Sequence, residues 1–389
     1  MKLLLVSDTF YPIENSGSLQ LQDLVENISK KIDIYVFTVG KKNKVINSKS
    51  IKTIYCKVLF FRKKNYFLRF FSEFLYSIQF FFQINKYAKN NKINFDGIIF
   101  YSPSIFFGPL IYILKRRYNI KSFLILRDIF PNWAIDLKIL KNFFLIKFFT
   151  YFANLQYKNA DIIGVQTNSL IDNNNSWINK NYKSKLFLFH NWLTPKKIIK
   201  SSNFSFQDKK KYFIYAGNIG VAQDIELIIN AFSNIADRNF KLVLIGSGVY
   251  FSKIKSNFPK TVYSNIEIYN SIEDKYLAYL VRNAYAGVLS LNHKHKLDNI
   301  PGKLLTYLSN NIPVIGSLNK ANDLISLNER YRFGLLDDSN SVNNLTKLFD
   351  ELIDNKILYN ELRKNTKMVF NKFYKTSIAS NKILDFFSN

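Results

Sequence analysis

The stretch DNIPGKLLTYLSNNIPVI, residues 298–315, reads as a loop, a helix, a tight turn and a buried strand. Pro301 suits the first helical turn, where its missing N–H costs nothing. Leu304, Leu305 and Leu308 share a face that can enter a core, while Gly302, Lys303 and Thr306 share another. A cation, a bare stretch of backbone and a helix N-terminus presented together suit a phosphate. Asn310-Asn311 closes the helix in a left-handed turn, and Pro313-Val314-Ile315 opens a buried strand. An ordinary αβ unit carries the same signals, so the neighbouring sequence has to discriminate.

Working outward, this unit ends a series of short apolar strands separated by helical stretches. Tyr212–Ala216 runs into Gly217-Asn218-Ile219-Gly220, and Phe240–Ile245 runs into Gly246-Ser247-Gly248. Ile266–Tyr269, Ala286–Leu291 and Val314–Ser317 follow, and residues 357–387 have helical spacing. An earlier series starts at residues 2–6, KLLLV. A polar loop with Gly17 comes next, then an amphipathic helix marked by Leu19, Leu21, Leu24, Val25 and Ile28, then the strand Ile32–Val39. Gly97–Tyr101, Ser122–Leu126, Asp161–Gln166 and Leu186–Phe189 continue it. Strands alternating with helices predict parallel, doubly wound α/β sheets. The two series meet in 191–211, a Pro-, Ser- and Lys-rich run with little apolar periodicity. We therefore expect a first domain over 1–195, a linker over 196–210, a second domain over 211–370, and a helix over 371–389 that packs back on the first domain. Two such halves imply a cleft, with ligands beyond the carboxyl ends of the strands.

The chain has 389 residues and a formal charge of +27, from 55 basic and 28 acidic side chains. Such an excess suits phosphorylated ligands or an anionic membrane surface. AT-rich codon usage gives the same Lys-, Asn-, Ile-, Phe- and Tyr-rich bias, so part of the charge carries no functional meaning. Nucleic acid is not expected, because no recognition-helix or aromatic-basic RNA signature is present. Cys56 is the sole cysteine, which excludes an internal disulfide and suits a reducing compartment. The N-terminal apolar run is too short for a secretory signal. No run of ~18 apolar residues suggests a spanning helix. The segment KVLFFRKKNYFLRFFSEFLYSIQFFFQ, residues 57–83, interleaves aromatics with basic side chains, and 142–151 is similar. Such faces fit the headgroup region of an anionic bilayer; they also fit the core of a Phe-rich protein.

Several positions have the chemistry of a site. Gly17, before a helix, lets an anion approach backbone N–H groups, though a plain turn explains it equally well. No G-x-G-x-x-G follows the first strand, which disfavours a dinucleotide dehydrogenase. Arg127 and Asp128 end a buried strand, as a site pair or as a local ion pair or helix cap; Trp133 and Asp136 lie just beyond. His190-Asn191-Trp192 sits at the junction of the two halves, where Asn191 serves either a site or a hinge. His293-Lys294-His295-Lys296 lacks the ligand set of a metal centre, and no D-x-D pair exists, so no metal is expected. Asp337-Asp338 reads as a solvated turn.

Taken in order, VSDTFYPIENSG (6–17), LRDIF (126–130) with Pro131 after it, HNW (190–192), YAGNIG (215–220), IGSG (245–248) and IPGKLLTYL (300–308) resemble the GT-B glycosyltransferases of family 4. The resemblance is strongest to the bacterial branch that builds O-antigen and capsule repeats, including N-acetylfucosaminyl-type transferases. It implies two Rossmann-like domains facing across a cleft, with a C-terminal helical tail. It also implies transfer, with retention and without a metal or other cofactor, from a nucleotide-sugar donor (UDP-linked by the same resemblance) to a lipid-linked saccharide on undecaprenyl diphosphate. The protein would then sit in the cytoplasm, peripheral on the inner membrane face.

In that reading Asp298, Lys303, Arg127 and Asp128 are the catalytic set. Gly17, Gly217, Asn218, Gln223, Gly246, Gly248, Asn299, Ile300, Pro301, Gly302 and Thr306 form the donor side, and Trp133 and Asn191 lie on the acceptor or hinge side. The chain departs from the family pattern at three places. Thr306 stands where a second acidic residue is usual, and Asn218 and Gln223 stand where Arg and Lys usually meet the diphosphate. The neutralising charge then rests on Lys303, Arg127 and helix N-termini. A non-catalytic nucleotide-sugar binder and a UDP-sugar epimerase or hydrolase of the same fold are the alternatives.

Overall fold

A computed structural model of the chain describes residues 1–388, leaving aside 14, 59–65, 103, 137, 173–176, 196–209, 236, 238, 294–299 and 321; for 66–71 the backbone alone is described. Asp298, Asn299, nearly all of the expected linker and three residues of the His-Lys tract therefore lie outside the described residues. The chain divides into two compact units, 1–192 with 376–389, and 193–375.

The first unit runs β1 (Lys2–Ser7), α1 (Ser16–Ile28), β2 (Asp33–Gly40), β3 (Lys44–Ser48), β4 (Ile51–Lys57), α2 (Tyr66–Asn90), β5 (Gly97–Tyr101), α3 (Phe107–Tyr118), β6 (Lys121–Ile125), α4 (Asn132–Asp136), α5 (Phe143–Asn159), β7 (Ile162–Val165) and β8 (Leu186–Leu188). Among the described residues the strands lie in the order β3-β4-β2-β1-β5-β6-β7-β8. They are parallel except for the β3–β4 hairpin, which the sequence does not announce. All five residues of β3 are exposed, so its side chains carry no burial pattern. Central strands are the opposite case. Leu3, Leu4, Leu5 and Val6 are fully buried, as continuous apolar runs in a doubly covered parallel sheet should be. The sheet order reverses at β1, which has β2 on one side and β5 on the other.

The second unit runs β9 (Lys211–Asn218), α6 (Ile225–Ser233), β10 (Phe240–Ser247), α7 (Phe251–Asn257), β11 (Ile266–Tyr269), α8 (Asp274–Asn283), β12 (Ala286–Ser290), α9 (Gly302–Ser309), β13 (Val314–Ser317), α10 (Asp323–Tyr331), β14 (Gly334–Asp337), α11 (Val342–Asp354) and α12 (Lys356–Val369). Its described strands, in the order β11-β10-β9-β12-β13-β14, are all parallel, and the order reverses beside β9. A reversal of strand order leaves a crevice at the carboxyl ends, where open α/β sheets bind ligands. The fourth residue of β14 is Asp337, so the expected turn starts one residue later, at Asp338.

A π turn, Phe370–Tyr374, leads into α13 (Thr376–Ser388), which belongs to the first unit. There Ser380 Oγ donates to Asn27 Oδ1 of α1 at 2.5 Å, and Phe387 lies where a side chain on Gly97 would stand. The division falls at Trp192/Leu193 and at Lys375/Thr376.

Candidate functional site

The opening stretch folds largely as its residues dictate. Leu304, Leu305 and Leu308 are buried against the sheet of the second unit. Asn311 takes the left-handed conformation, φ 57°, that closes the helix. Pro301 differs from expectation: it precedes the helix in an extended conformation, φ −59° and ψ 127°, and Gly302 is the first helical residue. Because Pro301 brings no hydrogen-bonding side chain, α9 starts without a side-chain cap. The first N–H groups of a helix are left without intrahelical partners, so an uncapped start keeps its capacity for an anion. Gly302 is exposed, and among the described residues nothing lies within 4 Å of where its side chain would be.

Lys303 follows directly. Its Nζ donates to Tyr215 Oη at 3.0 Å and lies 4.1 Å above the centre of that ring. Tyr215 Oη in turn donates to the Asn218 carbonyl at 2.5 Å. The lysine stem also passes Gly217, whose φ of 147° suits only glycine. Enclosure of the ammonium end pushes the Lys303 pKa down to about 8. Its described partners are a hydroxyl and an aromatic face, neither of which neutralises the charge. Fixed positive charge held in a confined place beside bare backbone is what an incoming diphosphate needs.

Tyr307, one turn further on, aims this helix. It is fully buried, donates to the Ile214 carbonyl at 3.1 Å and accepts from Ala216 N–H at 3.2 Å. A side chain on Gly287 would collide with its ring. Neither Tyr215 nor Tyr307 stood out in the sequence, although both lie inside the motifs that did; their meeting with α9 depends on where β9 runs. Thr306, on the Lys303 side, is half-buried, and its carbonyl accepts from Asn310 Nδ2 at 2.8 Å.

The neighbouring loop is tied internally. Asn218 Nδ2 donates to Gln223 Oε1 at 3.2 Å, and Gly220 N–H donates to the same oxygen at 3.3 Å. The two amides that stand where the resemblance implies cations thus engage each other. Gly246 and Gly248 have reasons of their own: a side chain at 246 would stand 1.8 Å from the Gly217 carbonyl oxygen, and one at 248 would stand 2.3 Å from that of Ile219. Ile300 and Pro301 are buried below the start of α9.

In the first unit, Arg127 and Asp128 follow β6. Arg127 Nη2 donates to Gln20 Oε1 at 3.2 Å, and its guanidinium lies 5.3 Å from the Trp192 ring centre. Gln20 Nε2 donates to the Trp192 carbonyl at 3.3 Å and Asn191 Oδ1 at 3.4 Å; Asn191 Nδ2 donates to Gln166 Oε1 at 2.9 Å; Gln166 Nε2 donates to the Arg127 carbonyl at 2.9 Å. This closed ring makes Asn191 a buried positioning group, and it recruits Gln20 and Gln166, which no motif signalled. Arg127 Nη1 is buried with no hydrogen-bond partner among the described residues. Crowding around Asp128 raises its carboxyl pKa against the pull of Arg127, although part of the residue is exposed.

Gly17 is the second residue of α1 rather than part of the loop before it, and a side chain there would reach 2.9 Å from the Tyr101 hydroxyl. Asn15 Oδ1 caps α1 by accepting from Ser18 N–H at 2.7 Å. Trp133, on α4, is partly exposed and lies tilted against Phe130, ring centres 6.0 Å apart.

Known proteins share this architecture along its whole length. Sucrose-phosphate synthase from Thermosynechococcus elongatus superposes with a TM-score of 0.70 at 13% identity, covering 100% of this chain and 98% of that one. WaaG, a glycosyltransferase involved in lipopolysaccharide biosynthesis, gives 0.64 at 11% identity with full coverage of both. The fold is GT-B. HepE from Anabaena, solved in complex with UDP-glucose, has the same GT-B fold, with a TM-score of 0.64 at 10% identity over 100% of this chain and 99% of that one. Residues 196–369, most of the second unit, match the family described as glycosyl transferases group 1. No curated protein matches the chain in sequence. At these identities the solved structures establish the GT-B fold and nothing finer.

Proposed function

We propose that the chain is a retaining, metal-independent glycosyltransferase of family 4. It takes a sugar, N-acetylated or deoxy, from a UDP-linked donor and passes it to a saccharide carried on undecaprenyl diphosphate. The product belongs to O-antigen, capsule or related surface glycan, and the enzyme works at the inner face of the cytoplasmic membrane. One observation carries the reading: Lys303, without a neutralising partner among its described contacts, lies against the Tyr215 ring beside the uncapped start of α9 and the open backbone of Gly302. Departure of the nucleoside diphosphate builds negative charge on its β-phosphate. The Lys303 ammonium and the α9 N-terminus stabilise that charge in place of a metal. Asp298, which precedes α9 in the sequence, orients donor hydroxyls, and Arg127 with Asp128 positions the donor or the acceptor. The group 1 match over the second unit supports a nucleotide-sugar donor, and HepE is a GT-B protein solved with UDP-glucose.

A thermal-shift panel of UDP, GDP, dTDP and CMP tests the donor assignment, since a ligand of the native state raises the melting temperature. UDP should give the largest shift. No shift with any nucleotide would sink the proposal. UDP binding without turnover on any lipid-linked acceptor would favour the non-catalytic reading, which the Asn218–Gln223 pairing motivates.

The position of Lys303 also sets a pH dependence. In the free protein its pKa is about 8, while a bound diphosphate favours the ammonium and raises it. Below that value the lysine is already charged, so affinity is flat. Above it each pH unit weakens UDP binding roughly tenfold, until the bound-state value is reached. Titration calorimetry between pH 7 and pH 9 reads this directly; a slope that persists in Lys303→Met would assign the effect elsewhere.

A further inference from the structure

We propose that the first unit seats on an anionic bilayer through α5, with the first two turns of that helix inserted at the headgroup boundary. This deepens the proposed function by naming the lipid-facing element, and it rests on that reading only for its purpose. Helix α5 breaks the usual rule that a helix apolar on all sides is buried. Phe144 is 79% exposed, Phe143 60%, Tyr151 59%, Leu145 44% and Phe148 40%, and Ile139 just before the helix reaches 68%. Only Ala153, Gln156 and Tyr157 of this helix are buried, all in its second half. A contiguous apolar patch of this kind marks an interaction surface.

Charge selects a lipid occupant over a second protein. Residues 137–160 carry Lys138, Lys141, Lys147 and Lys158 and no acidic residue. Lys147 Nζ lies 4.4 Å over the Phe143 ring, an arrangement in which the stem follows apolar surface and the ammonium reaches outward. The neighbouring α3 continues the pattern. It packs on α5 through Lys115 Nζ, which donates to the Asn159 carbonyl at 3.0 Å, and it exposes Tyr112 and Ile113 beside Arg116 and Arg117. Aromatics among basic side chains that, Lys115–Asp161 apart, have no acidic partner among the described residues match an anionic headgroup layer, whereas a second copy of a chain of net charge +27 would repel them.

Of the two aromatic-basic segments singled out in the sequence, 57–83 and 142–151, the second is the one whose exposure the structure describes throughout. Within residues 57–83, 59–65 and the side chains of 66–71 lie outside the described set. Beyond them Tyr76 and Phe80 are buried, leaving Ile78 and Phe82 exposed. Helix α5 connects instead to the loop after Arg127 and Asp128: the Phe130 ring in that loop is 4.9 Å from that of Phe149. A saccharide whose lipid anchor lies in the bilayer would be presented beside that loop.

The test is co-sedimentation of the full chain with vesicles of phosphatidylcholine alone or with about one third phosphatidylglycerol. The wild type should bind the anionic vesicles. The variant Phe143→Ser/Phe144→Ser/Phe148→Ser should lose roughly 100-fold or more in affinity. Lys141→Glu/Lys147→Glu should lose at least about tenfold on anionic vesicles and little on neutral ones. Circular dichroism and the UDP-induced thermal shift should be unchanged in both. Unaltered vesicle binding by the Phe variant overturns the proposal, as does a wild type that ignores both vesicles. A wild-type dimer that the Phe variant converts to monomer in light scattering would assign the face to a second copy and also overturn it. Vesicle binding without any nucleotide binding would leave this inference standing while the transferase reading fell.

Discussion

Lys303→Ala abolishes measurable sugar transfer, lowering kcat by roughly 10²–10³ or more, while the protein stays folded. That magnitude is what loss of one preorganised group on a developing negative charge costs. The larger value is expected because Asn218 and Gln223, where the family resemblance implies cations, are uncharged and engaged with each other. Stability should move the other way. The folded pKa of Lys303 lies near 8, below the ordinary lysine value of 10.5. At pH 7 the lysine is charged in both folded and unfolded chains, and the folded state bears the full cost of enclosing the charge. That cost diminishes as pH rises from about 8 towards 10.5, where the unfolded chain binds more protons. Lys303→Met, which keeps the stem against Tyr215, should therefore melt no lower than wild type at pH 7. Full activity in either variant would remove the phosphate role. A collapse in melting temperature would show that the lysine is structural.

Gly246→Ala should have the largest effect on stability. Gly246 pairs in register with Gly217 across β10 and β9, and a methyl group would stand 1.8 Å from the Gly217 carbonyl oxygen. Neither strand can yield cheaply, since Val243, Leu244, Ile214 and Tyr215 are packed on both faces. We expect a loss of about 3 kcal/mol, the upper range for overpacking, and a fall of roughly 6–12 °C in the melting temperature of the second unit. Nucleotide binding should fall with it, because Gly217 borders Lys303. The instructive comparison is Gly302→Ala. Among the described residues nothing occupies the space its methyl group would take, so the fold should be unaffected or slightly more stable. If that space receives the donor phosphates, UDP affinity should drop nonetheless. Equal stability and equal UDP affinity in Gly302→Ala would argue that the diphosphate lies elsewhere.

Much of the architecture was legible because buried parallel strands must be apolar throughout. KLLLV at 2–6 and FIYA at 213–216 have no other plausible use, and the glycines after them mark carboxyl ends. The helix at 302–309 was legible because its leucines and its closing asparagines each serve one physical requirement, while Pro301 marked its start one residue too early. The β3–β4 hairpin was not, because strand pairing holds it and exposed residues leave no pattern.

By itself the sequence determined two α/β halves, the candidate phosphate-binding helix and an excess of positive charge, all of which follow from local spacing and composition. Tertiary structure alone decided which side chains meet. Tyr215 comes under Lys303 from 88 positions away, and Gln20 reaches Arg127 across 107. It also decided that Phe143, Phe144, Phe148 and Tyr151 of α5 face outward while Tyr76 and Phe80 of α2 turn into the core. The reason is physical: burial depends on which surfaces neighbouring elements cover, and an apolar run reads the same whether it is covered by protein or left for another partner.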